Sequence, residues 1–325
     1  MYYKLDSKIE VGAFKFDRVN SVQIVEDLDK IGTVATLKVP NTAVLIRQGK
    51  YRSEIETQKQ IKVGDKVRID LGYNGNLRTE FEGFVRALQV GTPLSIECED
   101  AIYILKRKNL KKAFKSVSLK ALLRYILEGT GITLANEPPV IEFGTFYFRD
   151  VTAAAALEKL KSEYGLTITT VGLTKLYVGL WSKTDDTVVK YSFGDNIIDA
   201  NLEYVNEADV RIEVKAIHIR KNNTKVEKTF GDKNGEKRTL YFYNLPKGSD
   251  LETVAKEELK RIKYTGLKGS FKGFLTPNAH AGNVINFTDK QYNKRVGTYL
   301  CHKMELTFDE GGGRRKIDIG IKLNQ

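Results

Sequence analysis

Cysteine is almost absent: the 325 residues contain two, Cys98 and Cys301. Two thiols, each in a stretch that alternates like a strand, cannot build the disulfide framework of a small secreted domain. They read as buried, reduced thiols of a protein made in the cytosol. Histidine is nearly as scarce. His218, His280 and His302 lie far apart, and none sits in an HExxH-like ligand spacing. His302 falls in phase with Leu300 and Met304, which predicts a core or interface histidine rather than a metal ligand. There is no GxSxG elbow, no CxxC pair and no Rossmann glycine pattern. Gly311-Gly312-Gly313 has neither the Lys-Ser/Thr context nor the strand-to-helix setting of a phosphate loop, and reads as a flexible turn. No apolar run approaches the roughly 18 residues of a membrane span. The N-terminus, MYYKLDSKIEVGAF, carries Lys4, Asp6, Lys8 and Glu10 where a signal peptide needs an apolar core. These absences point to a soluble binding or structural protein that is not an enzyme and needs no cofactor or metal.

Acidic charge is also in deficit. The net charge of +12 and pI near 9.3 favour an acidic protein surface or a polyanion. The densest basic cluster is Lys106-Arg107-Lys108 with Lys111, Lys112 and Lys115; elsewhere acids interleave, as in Lys256-Glu257-Glu258-Leu259-Lys260-Arg261. No zinc-finger spacing, RNP-like string or clear helix-turn-helix accompanies the charge. The bases therefore read as a solvated face, without sequence-specific nucleic-acid binding. An apolar content of 41% and 10% aromatics mark a folded chain, long enough for two or three domains.

The chain is organised around a β-meander from Gly64 to Asp100. Val67, Ile69, Leu71 and Tyr73 alternate with polar or small residues, the period of a half-buried strand. Asn74-Gly75 is a hairpin turn, because both residues tolerate positive φ. Phe81 to Leu88 and Leu94 to Glu99 follow as strands, the latter with Leu94, Ile96 and Cys98 on one face. Glu97 and Glu99 share the other face with no partner suited to acid–base work. A second copy of the pattern lies near the C-terminus. Val63 to Val67 is echoed by Ala281 to Ile285, Gly83-Phe84-Val85 by Gly297-Thr298-Tyr299-Leu300, and Leu94 to Glu99 by Ile317 to Ile321. Two related β domains in one chain are expected.

Taken in order, residues 1–109 form the first β unit, with strands at Phe14–Phe16, Ser21–Val25 and Thr33–Val39. Residues 41–60 are polar and longer than an ordinary hairpin connection, which predicts a partner-contacting loop. Many short strands suggest a barrel or sandwich. Residues 110–192 form a small α+β middle domain. Leu119, Leu122, Leu123, Ile126 and Leu127 have helical spacing behind an N-cap at Ser118, with a stop at Gly129. The aromatic run Phe143, Phe146, Tyr147 and Phe148 reads as core or subunit interface. Thr152 opens a second helix with Leu157, Leu160 and Tyr164 on one face, ended by Gly165, and a hairpin turning at Gly172 closes the unit before Trp181. Residues 193–325 form the second β unit. It carries a charged protruding hairpin (220–240) and a helix (249–264), the latter opened by a Ser249/Glu252 capping box and lined by Leu251, Val254, Ala255, Leu259 and Ile262.

Gly83-Phe84-Val85, the strand Leu94 to Asp100 ending in Glu-Cys-Glu-Asp, and its continuation Ala101 to Lys106 together resemble the baseplate hub proteins of contractile phage tails, the late control protein D family. The same stretch is similar to the N-terminal hub part of type VI secretion spike proteins. The helix pair Leu119–Leu127 and Ala153–Tyr164 and the segment Leu202 to Ala216 share the resemblance. It implies a mainly β chain with two tail-tube-like β-barrels around the middle domain, forming a homotrimer. Three copies would present six barrels to a six-fold tail tube and adapt it to a three-fold spike. It implies a structural virion component, made in the cytoplasm and assembled into a phage tail or the baseplate of a related injection system. Since the sequence ends at Gln325 without an OB-fold or needle, the spike is expected to be a separate protein. A tail tube or tube-initiator protein and other baseplate proteins complete the partners. Candidate subunit or partner contacts are Arg47, Tyr51 and Arg52 in the polar segment, Lys106, Arg107 and Lys108 in the basic cluster, and Lys225, Lys228, Lys237 and Arg238 in the charged hairpin. The basic cluster suits an acidic partner rather than DNA in a channel, which strong cation sites would retain. The competing readings are a glycan- or cell-wall-binding module carried by the middle domain, and a hydrolase with a dispersed site.

Overall fold

The computed structural model describes residues 4–16, 19–47, 50–179, 187–220, 224–243 and 251–323, with the backbone alone for 43–47 and 50–53 and for four positions of the last helix. The chain is mainly β. Its first half is built from β1 (Leu5–Val11), β2 (Ser21–Asp27), β3 (Val34–Val39), β4 (Lys66–Tyr73), β5 (Asn76–Gln89) and β6 (Leu94–Glu99). Antiparallel ladders set these in the spatial order β1-β4-β5-β6-β3-β2. The expected turn between β4 and β5 is present: Tyr73 pairs with Asn76, while Asn74 and Gly75 take φ values of 52° and 79°. Positive φ at both central residues matches the right-handed twist of the flanking strands. The polar segment 41–60 is not a loop. Thr42–Arg47 and Lys50–Glu56 pair as a hairpin, followed by one helical turn at Thr57–Gln60. The hairpin forms a two-stranded sheet of its own, outside the ladders of the main sheet.

The second half comprises β7 (Val188–Ser192), β8 (Ile197–Val205), then β9 (Ile212–Ile219), β10 (Lys225–Gly231) and β11 (Glu236–Tyr243), and finally β12 (Gly266–Gly273), β13 (Val284–Thr288), β14 (Gly297–Asp309) and β15 (Gly312–Lys322). Leaving β9–β11 aside, its order is β7-β13-β14-β15-β12-β8, the strand order of the first half again, with one difference: β7 runs parallel to β13, whereas β1 runs antiparallel to β4. The repeat extends to single hydrogen bonds. Gly64 N–H donates to Val85 O at 2.9 Å and Val85 N–H to Asp65 O at 2.9 Å; Gly282 N–H donates to Cys301 O at 2.8 Å and Cys301 N–H to Asn283 O at 2.8 Å. The side chains of Asp65 and Asn283 accept from the backbone N–H three residues earlier, each at 2.8 Å. Gly64 and Gly282 hold φ of 95° and 94°, which only glycine adopts without strain. Both copies bulge just after this point, between Val85 and Ala87 and between Cys301 and Lys303. The match corrects the alignment read from sequence: Phe84 and Gly83 pair with β4 as Leu300 and Tyr299 pair with β13, so Gly83 corresponds to Tyr299, not Gly297.

The two halves share one sheet and one core. β14 continues past β13 and pairs Lys303–Asp309 with Asp27–Ser21 of β2, and a single apolar cluster runs from Ile9 to Ile319. Among the described residues no ladder joins β1 back to β2 or β7 back to β8, so hydrogen bonding leaves this path open rather than closed into two barrels.

Between the halves lies the α+β unit, with α1 (Leu119–Leu127) and α2 (Ala153–Tyr164) over its own apolar cluster. Both sequence-predicted caps are made: Ser118 Oγ accepts from Ala121 N–H at 3.2 Å and Thr152 Oγ1 from Ala155 N–H at 3.1 Å. Gly165 ends α2 at φ 60°. Phe143, Phe146 and Phe148 are core, whereas Tyr147 is half exposed. The charged segment 220–240 is not a hairpin. Its strands β10 and β11 flank β9, antiparallel and parallel respectively, in a separate three-stranded sheet that packs on the last helix, α3 (Leu251–Ile262). Trp181 and Ser249 lie outside the described residues.

Candidate functional site

Charge is buried where the two halves meet. Arg315 has no exposed surface, although it falls in phase with Ile317 and Ile319 on the inward face of β15. Its Nη2 donates to both carboxylate oxygens of Glu80 on β5, each at 2.9 Å, and to Asn278 Oδ1 at 2.6 Å. Nη1 donates to Ala279 O at 2.8 Å. A buried guanidinium is tolerated because a paired carboxylate and fixed carbonyls replace its water. Nearby, His280 Nδ1 meets Glu26 Oε1 of β2 at 2.9 Å, and Ala281 N–H donates to Glu26 Oε2 at 2.9 Å. The Glu26 charge raises the His280 pKa against the opposing effect of burial. Burial pushes Glu26 up, but the His280 charge and these hydrogen bonds outweigh it and leave its pKa lowered. Tyr73 adds a neutral contact, its hydroxyl donating to Gly313 O at 3.1 Å. The bonds of Arg315 to Glu80, of His280 and Ala281 to Glu26, and of Tyr73 to Gly313 span the two repeats, while Asn278 and Ala279 hold the guanidinium from its own half.

An open polar cleft of about 540 Å³ borders this network and is lined in part by Glu26, Glu80, Asp100, Thr170, Asn278 and His280. Its carboxylates are engaged. Asp100 accepts from Thr33 N–H at 2.8 Å, from Ile102 N–H at 3.0 Å and from the Thr170 hydroxyl, tying β3 to the middle unit. Burial still pushes its pKa up to about 6. Glu97 and Glu99 converge on Arg86, and Glu99 also binds Lys106 at 2.7 Å. They form an ion-pair cluster rather than an acid–base pair. Burial holds the Cys98 thiol up at about 12 and raises that of Cys301 as well, so neither is a ready nucleophile. Asp27, Asp29 and His302 each offer a ligand atom within 4.8 Å of the others. Yet His302 Nε2 already meets Asp29 at 3.0 Å and Asp29 N–H donates to Asp27 at 2.9 Å, so the group is satisfied by itself. The β14 bulges put Cys301 and Met304 inward and leave His302 partly exposed, out of the phase read from sequence.

The sequence-predicted contact residues fall into separate groups. Lys106, Arg107 and Lys108 sit where the first half meets the middle unit, and all three bond within the chain. Arg107 lies over the Tyr103 ring at 3.2 Å. Lys108 donates to Tyr125 O at 3.0 Å and to Glu128 O, closing the C-terminus of α1, where a cation suits the helix dipole. Lys225, Lys228, Lys237 and Arg238 lie on the outer strands of the separate sheet. Lys228 pairs with Glu252 at 3.7 Å and Arg238 with Glu236 at 2.5 Å, while Lys225 lies over the Tyr164 ring at 5.9 Å. Lys237 is exposed on β11. The side chains of Arg47, Tyr51 and Arg52 lie outside the described residues.

No family model matches the chain, and no curated protein matches it in sequence. Solved structures do. A 43 kDa tail protein of prophage MuSo2 from Shewanella oneidensis superposes with a TM-score of 0.63 at 16% identity, over 98% of each chain. A tail protein from Neisseria meningitidis MC58 gives 0.62 at 14% identity, over 99% of this chain and 97% of that one. The chain has the fold of phage tail proteins. An E. coli component of the type VI secretion system, described as structurally similar to bacteriophage T4 tail proteins, gives 0.60 at 9% identity, over 98% of this chain and 77% of that one. In this tail-protein fold the residues that sequence reading missed are Arg315 and Glu80. The signal for Arg315 was available: a charge at an inward position of an otherwise apolar strand needs a buried partner. Glu80 had none, because a bulge between Ile69 and Asp70 shifts the register beside it.

Proposed function

We propose that this chain is a structural baseplate hub of a contractile phage tail or related injection machine. Three copies form a ring that adapts a six-fold tail tube to a three-fold spike. The observation that supports this most is the internal repeat within a tail-protein fold. Two halves with the same strand order, the same glycine turns and the same bulge, joined edge to edge, give each chain two near-equivalent tube units. Six such units need three chains. The buried Arg315–Glu80 pair suits a structural role, because it fixes one half against the other. The same reading treats the protein as non-enzymatic. It places Lys225, Lys228, Lys237 and Arg238 on a face available to stacked partners, among them a tube or tube-initiator protein and other baseplate components. Among the described residues, no helix is long and apolar enough to cross a membrane.

Light scattering on the purified full chain tests the stoichiometry. A concentration-independent mass near three times 36.7 kDa is expected. A clean dimer removes the symmetry argument.

A further inference from the structure

One sheet edge among the described residues lacks a partner, and the repeat says what covers it. Among the described residues β8 pairs with β12 on one side only, and six of its nine residues, all but the two ends and Leu202, are exposed, on both faces. Its counterpart in the first half is β2, whose outer edge is covered by the distal part of β14. The counterpart of that part of β14 is the end of β5 from Ala87 onward, since both follow the same bulge. Among the described residues, this end of β5 pairs with β6 but has no strand on its other side. The fold therefore uses one junction inside the chain and leaves both halves of an equivalent junction open at opposite ends.

The side chains agree. Following the ladders, Met304 and Leu306 of β14 correspond to Leu88 and Val90, and Ile24 and Glu26 of β2 to Leu202 and Tyr204. Met304, Leu306 and Ile24 are fully buried where β14 meets β2. Their counterparts are not: Val90 is 73% exposed and Tyr204 46%, with Leu88 and Leu202 only partly covered. Large apolar residues held in water along a bare edge are an aggregation hazard unless another strand closes over them.

We infer that β8 of one copy adds antiparallel to the end of β5 of a second copy, repeating between chains the β2–β14 junction found within each. The register places Val205 opposite Ala87, Tyr204 opposite Leu88, Glu203 opposite Gln89 and Leu202 opposite Val90. The contact is head-to-tail, so it propagates until the ring closes. It rests on the hub reading only for the number of copies, three.

Engineered cysteines in the full chain test the register. Two matched pairs are made, Leu88→Cys with Tyr204→Cys and Gln89→Cys with Glu203→Cys, because neighbouring antiparallel pairs differ in spacing and one suits a disulfide better. Leu88→Cys with Ile198→Cys is the mismatched control. The native thiols of Cys98 and Cys301 are buried and give little background. Under mild oxidation at least one matched pair is expected to give covalent species ending at three copies, and the mismatched pair none. Val90→Lys, at a site open to water in the single chain, is expected to weaken self-association on the order of tenfold or more. A wild-type trimer in which neither matched pair cross-links overturns the edge pairing and leaves the hub reading intact. Matched cross-links that end at two copies support the pairing and overturn the trimer. A chain that stays monomeric and uncross-linked at every concentration overturns the pairing.

Discussion

Replacing Arg315 by methionine is the sharpest test of how the two halves are held. The substitution keeps a long apolar side chain but removes the guanidinium from a site with no solvent exposure. Glu80, 3% exposed at its side chain, then keeps a carboxylate without its cation, and the carbonyls of Leu275 and Ala279 lose donors. Breaking a buried pair from one side typically destabilises by about 3–5 kcal/mol, and each of the two orphaned carbonyls adds about 1 kcal/mol, so about 5–7 kcal/mol is expected. That is a large share of the roughly 5–15 kcal/mol by which native proteins are stable. Urea unfolding followed by circular dichroism, extrapolated linearly, measures it. The double variant Glu80→Met/Arg315→Met is expected to recover most of the loss, because no uncompensated charge remains. A loss under about 1 kcal/mol for Arg315→Met, or a double variant as unstable as the two singles summed, would refute the account.

Four further outcomes follow from the geometry. The raised His280 pKa contributes stability that is full below the unfolded value near 6.5 and lost as pH rises through the folded value, so the melting temperature is expected to fall above neutral pH and His280→Gln to flatten that slope. Asp100, raised to about 6 from 3.8, contributes stability that is full below pH 3.8 and lost as pH rises to about 6, so a chain with a pH-independent melting temperature across that window contradicts its burial. Gly64→Ala and Gly282→Ala each force a side chain into a positive-φ turn and are expected to destabilise by about 1–3 kcal/mol alike; a neutral effect at one would break the equivalence of the turns. At Gly165 an added Cβ would lie 2.1 Å from the Tyr241 ring, so Gly165→Ala is expected to loosen the three-stranded sheet from α2, seen as faster amide exchange in β11.

Much of this was legible because burial on one face imposes a period. The meander, both helix caps and the Asn74-Gly75 turn follow from local chemistry, and the repeat was visible at Val63–Val67 and Ala281–Ile285. What failed was non-local. The two-residue slip between Gly83 and Tyr299 came from matching glycine to glycine, whereas the ladder is set by the turn at Gly282 and the bulge after Cys301. The hairpin at 42–56 pairs only with itself, and the β10-β9-β11 order sets β11 parallel beside β9, a partner choice that no local pattern specifies. The contact candidates in the basic cluster were chosen by charge alone. Structure shows Lys108 spent on the carbonyls of Tyr125 and Glu128, a pairing that sequence distance conceals.

The two halves differ most in their connections. Where the first half joins β2 to β3 through residues 28–33, the second joins β8 to β12 through 206–265, a stretch holding an entire sheet and α3. The reverse holds between β3 and β4, where residues 40–65 carry the extra hairpin that the segment 274–283 lacks. A ring made from one unduplicated unit must decorate every position alike, because any insertion is copied to all of them. Fusing two units in one gene lets each copy acquire its own appendage at a turn the other keeps short. In the ring proposed above, duplication would thus be a licence for asymmetry: the shared framework stays regular while alternate positions evolve separate appendages.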